Sequence, residues 1–215
     1  MIKNNKRTLI ITSVITLLPV FIGLLLWNKL PDKVATHWNL SGEVDGWSSK
    51  AFAVFFLPLF LLAFHWICVL GTSFDKKNQG QNRKILGIVL WIVPIISLLV
   101  SSAVYAIALG YSFNMSMIGL IIVGFGFIII GNYMPKTAQN RTIGIKIKWT
   151  LESEENWNAT HRFCGKVWVI GGIALMFCAF LPTPISEIAF VTSVILLVII
   201  PIVYSYVYHK KKSRQ

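Results

Sequence analysis

Two polar stretches of the chain carry the residue types that do chemistry. The first, LPDKVATHWNLSGEVDGWSSK at positions 30–50, gathers an imidazole, an indole, an amide and two carboxylates: His37, Trp38, Asn39, Glu43 and Asp45. Such a set can bind a ligand by stacking and hydrogen bonding. It can equally anchor a loop at a membrane interface, where amphipathic aromatic side chains are enriched. Both interpretations stay open, but one His with scattered carboxylates lacks the ligand spacing of a zinc site.

The second stretch, NRTIGIKIKWTLESEENWNATHRFCGK at positions 140–166, contains a helical signal. Ser153 can cap a helix whose first turn holds two glutamates, the charge that this end favours. Trp157, His161, Cys164 and Trp168 then recur at i, i+4, i+7 and i+11, which is one face of a helix. The pattern predicts an amphipathic helix that floats at the membrane surface and leads into the next apolar run. His161 and Cys164 could both ligate a metal, but two ligands do not make a site.

Just before this helix, the segment Thr142–Leu151 alternates between apolar and polar side chains. A period of two over ten residues predicts a strand. A lone strand leaves backbone groups unpaired, so it would need a partner within the chain, in a second copy or at the membrane surface.

The elements that must position these stretches are membrane spans. Of the 215 residues, 55% are hydrophobic and only 13% are charged, against about a quarter in soluble domains. Apolar runs of about 18 or more residues predict transmembrane helices. The first run is not followed by a small-residue cleavage site, so it is an uncleaved helix rather than a signal peptide. The uncharged stretch 85–135 is too long for one span, and Gly110–Ser116 supplies its turn.

The predicted fold class is therefore an all-α integral membrane protein with one domain, 1–215, and six transmembrane helices. The two prolines of LPTPIS are expected to terminate the fifth helix. The predicted spans are approximately 8–28, 51–74, 85–109, 117–134, 167–181 and 188–208, with an outer loop at 29–50 and a cytoplasmic loop at 135–166.

The distribution of basic residues predicts the orientation. Six spans put both termini on one side, and 17 of the 20 Lys and Arg residues fall on that side. Because basic residues concentrate in short cytoplasmic loops, both termini are expected in the cytoplasm. The net charge of +12 then reflects topology and attraction to anionic lipid headgroups, not nucleic-acid binding. The only basic residues on the outer side are Lys29, Lys33 and Lys50.

Other classes of protein find little support. Cys68, Cys164 and Cys178 are far apart and lie in or beside apolar runs, so they are expected to be buried free thiols. No GxSxG, HExxH or Walker motif occurs, so neither an enzyme nor an ATP-driven pump is predicted, and no cofactor or metal is expected. A small-molecule or peptide transporter remains the alternative, since His65 and Glu187 are ionisable groups within or at the end of predicted spans.

Both polar stretches resemble signatures of the SdpI-type family of bacterial membrane proteins. The outer stretch matches a pattern of Pro, His-aromatic-Asn, Gly, Asp and a closing Lys, at these positions: Pro31, His37, Trp38, Asn39, Gly42, Asp45 and Lys50. The cytoplasmic stretch is similar to the second signature at Asn140, Gly144, Ile145, Thr150, Trp157, His161 and Gly165. Lys146 stands where the family usually has Arg, so a planar two-pronged donor is replaced by a point charge.

The resemblance implies a function in immunity. Members of this family protect bacteria from a secreted peptide toxin that attacks the membrane, which makes a peptide toxin and the lipid bilayer the expected partners. A second implied role is signal transduction, in which the toxin-engaged protein recruits a small DNA-binding repressor to the cytoplasmic face. The outer signature residues become candidate toxin contacts. The cytoplasmic stretch, with its predicted strand and basic face, becomes a candidate docking site for a soluble partner by strand addition.

Overall fold

The structure is a computed structural model that describes residues 2, 5–75, 78 and 81–214. Lys3, Lys76 and Lys77, which contribute to the charge argument for orientation, lie outside the described residues. Within the described ranges, six helices are long and apolar enough to cross a membrane, which confirms the predicted class of a six-helix membrane protein. The orientation of the chain in the bilayer stays a prediction, as do the single domain and the limits of each span.

The helices follow the apolar runs of the sequence. They are α1 (Lys6–Leu25), α2 (Leu57–Phe74, preceded by a π-helical turn at Phe52–Phe56), α3 (Arg83–Ala108), α4 (Met115–Tyr133), the short α5 (Lys148–Glu152), α6 (Glu154–Cys178) and α7 (Thr183–Lys212). Gly110, at a φ of +94°, lies in the turn predicted between α3 and α4. The prolines of LPTPIS do not terminate α6. Pro182 and Pro184 instead lie at the start of α7. Backbone N–H groups in the first turn of a helix have no acceptor within the helix, so proline, which lacks this group, is tolerated there.

Contacts within the chain define two compact units. Unit 1 comprises residues 1–74 and 86–114, and unit 2 comprises residues 75–85 and 115–215. In unit 1, α1, α2 and α3 pack around two apolar clusters, one of which includes Val34, Val54 and Tyr105, and the other Leu9, Val69 and Leu90.

Unit 1 also contains a small antiparallel sheet that the sequence did not predict. Strands β1 (Lys33–Trp38) and β2 (Val44–Ser49) form a hairpin within the predicted outer loop. Val34 is fully buried in the cluster with Val54, and Trp38 packs against the same cluster. A two-stranded hairpin is marginal alone, so this burial fixes the hairpin on the helices.

In unit 2, α4 and α6 are held close by four glycines. A Cβ added at Gly124 would lie 2.7 Å from the carbonyl oxygen of Gly172, and one at Gly131 would lie 2.8 Å from that of Gly165. Small residues let helix backbones approach where a side chain would separate them. The backbones of α4 and α6 are therefore in direct contact. A separate contact joins α6 to α7, where the indole of Trp168 donates a hydrogen bond to the Leu197 carbonyl at 3.0 Å.

Candidate functional site

The outer signature residues divide into those that build the hairpin and those that it exposes. Asn39 closes the turn: its Oδ1 accepts the Glu43 N–H at 2.9 Å, and its own N–H donates to the Glu43 carbonyl at 2.9 Å. Gly42 supplies the positive φ of +82° that this turn requires. Lys50 forms an ion pair with Asp32 at 3.0 Å, and its ammonium lies 5.1 Å from the ring centroid of Trp27. These three signature residues have structural roles.

The exposed part of the hairpin is a mixed polar and apolar surface. His37 Nδ1 contacts Asp45 Oδ1 at 2.5 Å, and both side chains remain largely accessible. A Cβ at position 46 would lie 2.7 Å from the His37 Cβ, so Gly46 makes room for this pair across the strands. Trp47 is 62% exposed and Leu40 is 50% exposed. The hairpin thus presents an indole and an aliphatic side chain beside a bound imidazole–carboxylate pair, which we call the hairpin face (His37, Leu40, Asp45 and Trp47).

Trp47 was missing from the predicted site, and the two tryptophans differ in role. The indole of Trp38 packs into the core cluster of unit 1, whereas that of Trp47 projects outward. The sequence alone does not show which tryptophan faces the core. The bulge near His37 shifts the register of β1, so the face on which Trp38 lies does not follow from simple alternation. Alternation along Val44–Ser49, with Asp45, Trp47 and Ser49 exposed, is the signal that could have found Trp47.

The cytoplasmic signature residues lie together in unit 2, and the predicted strand at Thr142–Leu151 is wrong. Residues 142–144 form bends and residues 145–147 are irregular, with no strand among them, and Lys148 already begins the helix α5. Gly144 has a φ of +117°, outside the range of a regular strand. Only the exposure of the side chains alternates along this segment. Ile145, Ile147 and Trp149 are partly buried, whereas Lys146 and Lys148 are exposed.

Side chains accept the backbone N–H groups of this segment, as a neighbouring strand would do in a sheet. Asn140 Oδ1 accepts the Ile143 N–H at 2.6 Å, His161 Nε2 accepts the Ile145 N–H at 3.0 Å, and Thr150 Oγ1 accepts the Ile147 N–H at 3.1 Å. Buried backbone donors need partners, and here three signature residues provide them. This is the physical reason why an alternating sequence does not pair as a strand.

His161 is held in one neutral tautomer by its two hydrogen bonds. Its Nε2 accepts from Ile145, so the proton is on Nδ1, which donates to the Trp157 carbonyl at 2.8 Å. The imidazole stacks on the Trp157 ring with centroids 4.0 Å apart, and the indole donates to the Thr137 carbonyl at 2.7 Å. Both side chains are almost completely buried. Trp157, His161 and Cys164 of the α6 stripe therefore pack inside unit 2, whereas the location of this turn relative to the membrane surface stays a prediction.

The remaining signature positions complete the same structure. Asn140 is buried and also donates through Nδ2 to the Ala138 and Ile143 carbonyls. Gly165 permits the contact between α4 and α6, and Ser153 caps α6 as predicted, its hydroxyl accepting the Asn156 N–H at 3.1 Å. Lys146, at the position of the family's Arg, donates to the Thr142 carbonyl and is otherwise exposed. We name this assembly of Asn140, Gly144, Thr150, Trp157 and His161 the loop latch.

The connection between α2 and α3 also docks on this loop. Gln81 exchanges two hydrogen bonds with the backbone of Ala138, at 2.9 and 3.0 Å, and Asn78 donates to the Thr142 hydroxyl at 2.7 Å. The Asp75 carboxylate accepts the Arg141 N–H at 2.7 Å. These residues carry no local sequence signal of their role, because their partners lie 57–66 positions away in the chain.

Neither site has the groups of a metal centre. Among the described residues, no cluster of three or more His, Cys, Asp or Glu side chains could hold a metal ion. Cys68, Cys164 and Cys178 are free thiols as predicted, but only Cys164 is buried, whereas Cys68 and Cys178 are partly exposed. The arrangement is suited to recognition through surfaces and hydrogen bonds.

Comparison with known proteins agrees with this description. Residues 136–205 match the SdpI/YfhL protein family, and residues 14–62 match a domain of unknown function, DUF1648. The chain is 28% identical to the immunity protein SdpI of Bacillus subtilis (strain 168) over 206 residues, covering 94% of this chain and 96% of that protein. No solved structure matches the chain. The outer signature falls inside the segment that matches DUF1648, and the cytoplasmic signature falls inside the segment that matches the SdpI/YfhL family. Together with the six helices, these similarities identify the chain as a multi-pass bacterial membrane protein that is similar to SdpI.

Proposed function

We propose that this protein confers immunity on a bacterial cell against a secreted, membrane-active peptide toxin. The observation that carries the proposal is the similarity to an immunity protein over nearly the full length of both chains. The hairpin face supports it, because it exposes an indole and an aliphatic side chain within the predicted outer loop.

The hairpin face has the composition of a peptide-binding surface. Exposed Trp side chains supply large apolar contact area with a polar N–H, and they are enriched among residues that dominate binding energy. The His37–Asp45 pair beside Trp47 can accept or donate hydrogen bonds. We assign toxin contact to His37, Asp45 and Trp47, whereas Trp38, Asn39, Gly42 and Lys50 keep the hairpin in shape.

Protection can be tested in a sensitive host. The protein is expressed in B. subtilis from which SdpI has been deleted, and the cells are challenged with spent medium of the SdpI-bearing strain 168. The proposal expects survival above that of cells with an empty vector. Equal killing of both would contradict it.

Variants then test the hairpin face. Trp47→Ala and Asp45→Ala should lower survival without lowering the amount of protein in the membrane, because neither residue is buried in the core. Tyr111→Ala is the matched control, since Tyr111 is 64% exposed but lies in the turn after α3. Trp38→Ala should also lower survival, but through loss of the hairpin packing, and should lower thermal stability as well. If Trp47→Ala protects as well as the unaltered protein, toxin contact does not run through this face.

The second part of the proposal is signalling through the cytoplasmic loop. The loop latch holds a rigid segment whose exposed side chains include Arg141, Lys146 and Lys148. Because the segment is not a regular strand, we propose that a small repressor docks on these cations through acidic side chains rather than by strand addition. In-cell crosslinking from position 146 should capture a soluble protein only after toxin challenge, and Lys148→Glu should weaken the capture. Capture that is independent of the toxin would contradict this part.

A further inference from the structure

The seam between α1, α2 and α3 of unit 1 is polar where the surrounding faces are apolar. The buried stripe of α1 is Leu9, Thr12, Thr16, Pro19 and Gly23. Thr12 Oγ1 lies 3.2 Å from His65 Nε2 of α2, and the Ser97 hydroxyl of α3 donates to the Thr16 carbonyl at 2.9 Å. One turn further along α3 is Ser101, and the hydroxyl of Tyr105 donates to the Pro19 carbonyl at 3.0 Å. All these polar side chains are 4% exposed or less.

Apolar layers close the two ends of this seam. The cluster of Leu9, Val69 and Leu90 lies at one end, and the cluster that includes Val54, Val104 and the hairpin residue Val34 lies at the other. The polar groups between them are therefore occluded rather than open to either surface.

Two atoms in this seam have no hydrogen-bond partner among the described residues: His65 Nδ1 and Ser101 Oγ. His65 is fully buried, and Ser101 is 1% exposed. An imidazole has one ring nitrogen that donates and one that accepts when neutral, so whichever tautomer Thr12 selects, Nδ1 presents an unmet hydrogen-bonding group. Buried polar groups without a partner are rare in proteins and call for an explanation.

Two of the three helices also carry a buried proline within the helix, Pro19 in α1 and Pro94 in α3. A proline within a helix removes the N–H donor for the carbonyl four residues before it. Such carbonyls are tolerated in membrane helices where side-chain hydroxyls or ordered water satisfy them.

A charged ligand does not fit this environment. The helical segments 6–25, 57–74 and 84–108 contain no Asp or Glu, and their Lys and Arg residues, Lys6, Arg7 and Lys84, are exposed at the helix ends. Cys68 and Tyr105 are the other titratable groups on these elements, and both are neutral in their ordinary state. A buried imidazolium or a bound ion would have no counter-charge, so the occupant must be uncharged.

We propose that this seam, which we call the α1–α3 polar seam (Thr12, Thr16, His65, Ser97, Ser101 and Tyr105), is an intramembrane binding site for a small neutral molecule that both donates and accepts hydrogen bonds. Water is the smallest member of that class and is the probe for the test. The site is independent of the immunity proposal, because it uses neither the hairpin face nor the loop latch.

Three of the four histidines of the chain provide an internal comparison for the experiment. His37 is 72% exposed in its side chain, whereas His161 is 1% exposed and has both ring nitrogens bonded within the protein. His65 is as buried as His161 but has one free ring nitrogen. A molecule bound in the seam would contact His65 Nδ1 but neither ring nitrogen of His161.

The test is transfer of magnetisation from water to ¹⁵N-labelled histidine side chains, measured on the whole protein in lipid bilayers. His65→Gln assigns the His65 signal by its loss. The proposal expects His65 to receive transfer at a rate nearer to that of His37 than to that of His161, and Ser101→Ala to reduce it while leaving His37 unchanged. If transfer to His65 is as slow as transfer to His161, the seam is dry and the proposal is overturned.

Discussion

Replacement of Gly144 by Ala would test the loop latch most directly. Gly144 has a φ of +117°, which L side chains rarely adopt. An added Cβ would lie 2.5 Å from His161 Nε2 and 3.0 Å from the Trp157 ring, and both partners are buried and cannot turn aside. The methyl group would also separate His161 from the Ile145 N–H that it accepts. Ala therefore meets a conformational, a steric and a hydrogen-bonding penalty at one position.

These penalties can be added to give an expected size. The positive φ costs about 1–2 kcal/mol in a residue with a Cβ. Overpacking against a buried ring costs about 1–3 kcal/mol, and loss of the hydrogen bond about 1 kcal/mol. The sum, about 3–6 kcal/mol, would be a large part of the 5–15 kcal/mol that stabilises a typical domain. Local opening of the loop should accordingly rise by roughly 100-fold or more, at 1.4 kcal/mol for each factor of ten.

Limited proteolysis with trypsin measures this opening, because Arg141, Lys146 and Lys148 lie in the segment that the latch holds. Gly110→Ala is the matched control: Gly110 also has a positive φ, +94°, but no atom lies within 4 Å of an added Cβ. It carries the conformational cost without the clash. If Gly144→Ala accelerates cleavage in the loop no more than Gly110→Ala does, then Trp157 and His161 do not pack beneath Gly144 as described.

Two other substitutions test the packing of unit 2. Gly131→Ala should destabilise unit 2 by about 1–3 kcal/mol, because its Cβ would lie 2.8–2.9 Å from backbone atoms of α6, whereas Gly126→Ala, with nothing within 4 Å, should have no effect on thermal unfolding. An equal effect of the two would argue against the close contact of α4 and α6. Trp157→Phe keeps the aromatic ring but leaves the Thr137 carbonyl without its donor, which should cost about 1–3 kcal/mol in chemical unfolding. An unchanged unfolding midpoint would mean that this hydrogen bond contributes nothing.

The helical architecture was predictable because hydrophobicity acts over long runs. Each of the six apolar stretches is long enough to span a bilayer, so composition and length suffice to identify a helix. The start of α6 was predictable as well: Ser153 caps the helix, which begins at Glu154 and continues from a polar turn directly into the apolar run.

The hairpin and the segment Thr142–Leu151 show that the local sequence pattern is not sufficient to predict strand pairing. Thr142–Leu151 alternates like a strand but has no strand partner, whereas the pairing of Lys33–Trp38 with Val44–Ser49 went unpredicted. Pairing depends on what lies opposite a segment in space. For the first segment, the groups opposite are side chains of Asn140, Thr150 and His161; for the second, the opposite group is another strand.

By itself, the sequence determined that the chain forms six membrane helices, that it has two polar stretches, and that those stretches carry the signatures of one family. These properties depend on local composition and on residue order. Only the tertiary structure decided that Trp38 packs against the core of unit 1 while Trp47 is exposed, that the cytoplasmic signature forms a latch, and that His65 lies in a polar seam. The reason is that burial and hydrogen-bond partners arise from contacts between residues far apart in the chain, such as Thr12 with His65, which no local pattern records.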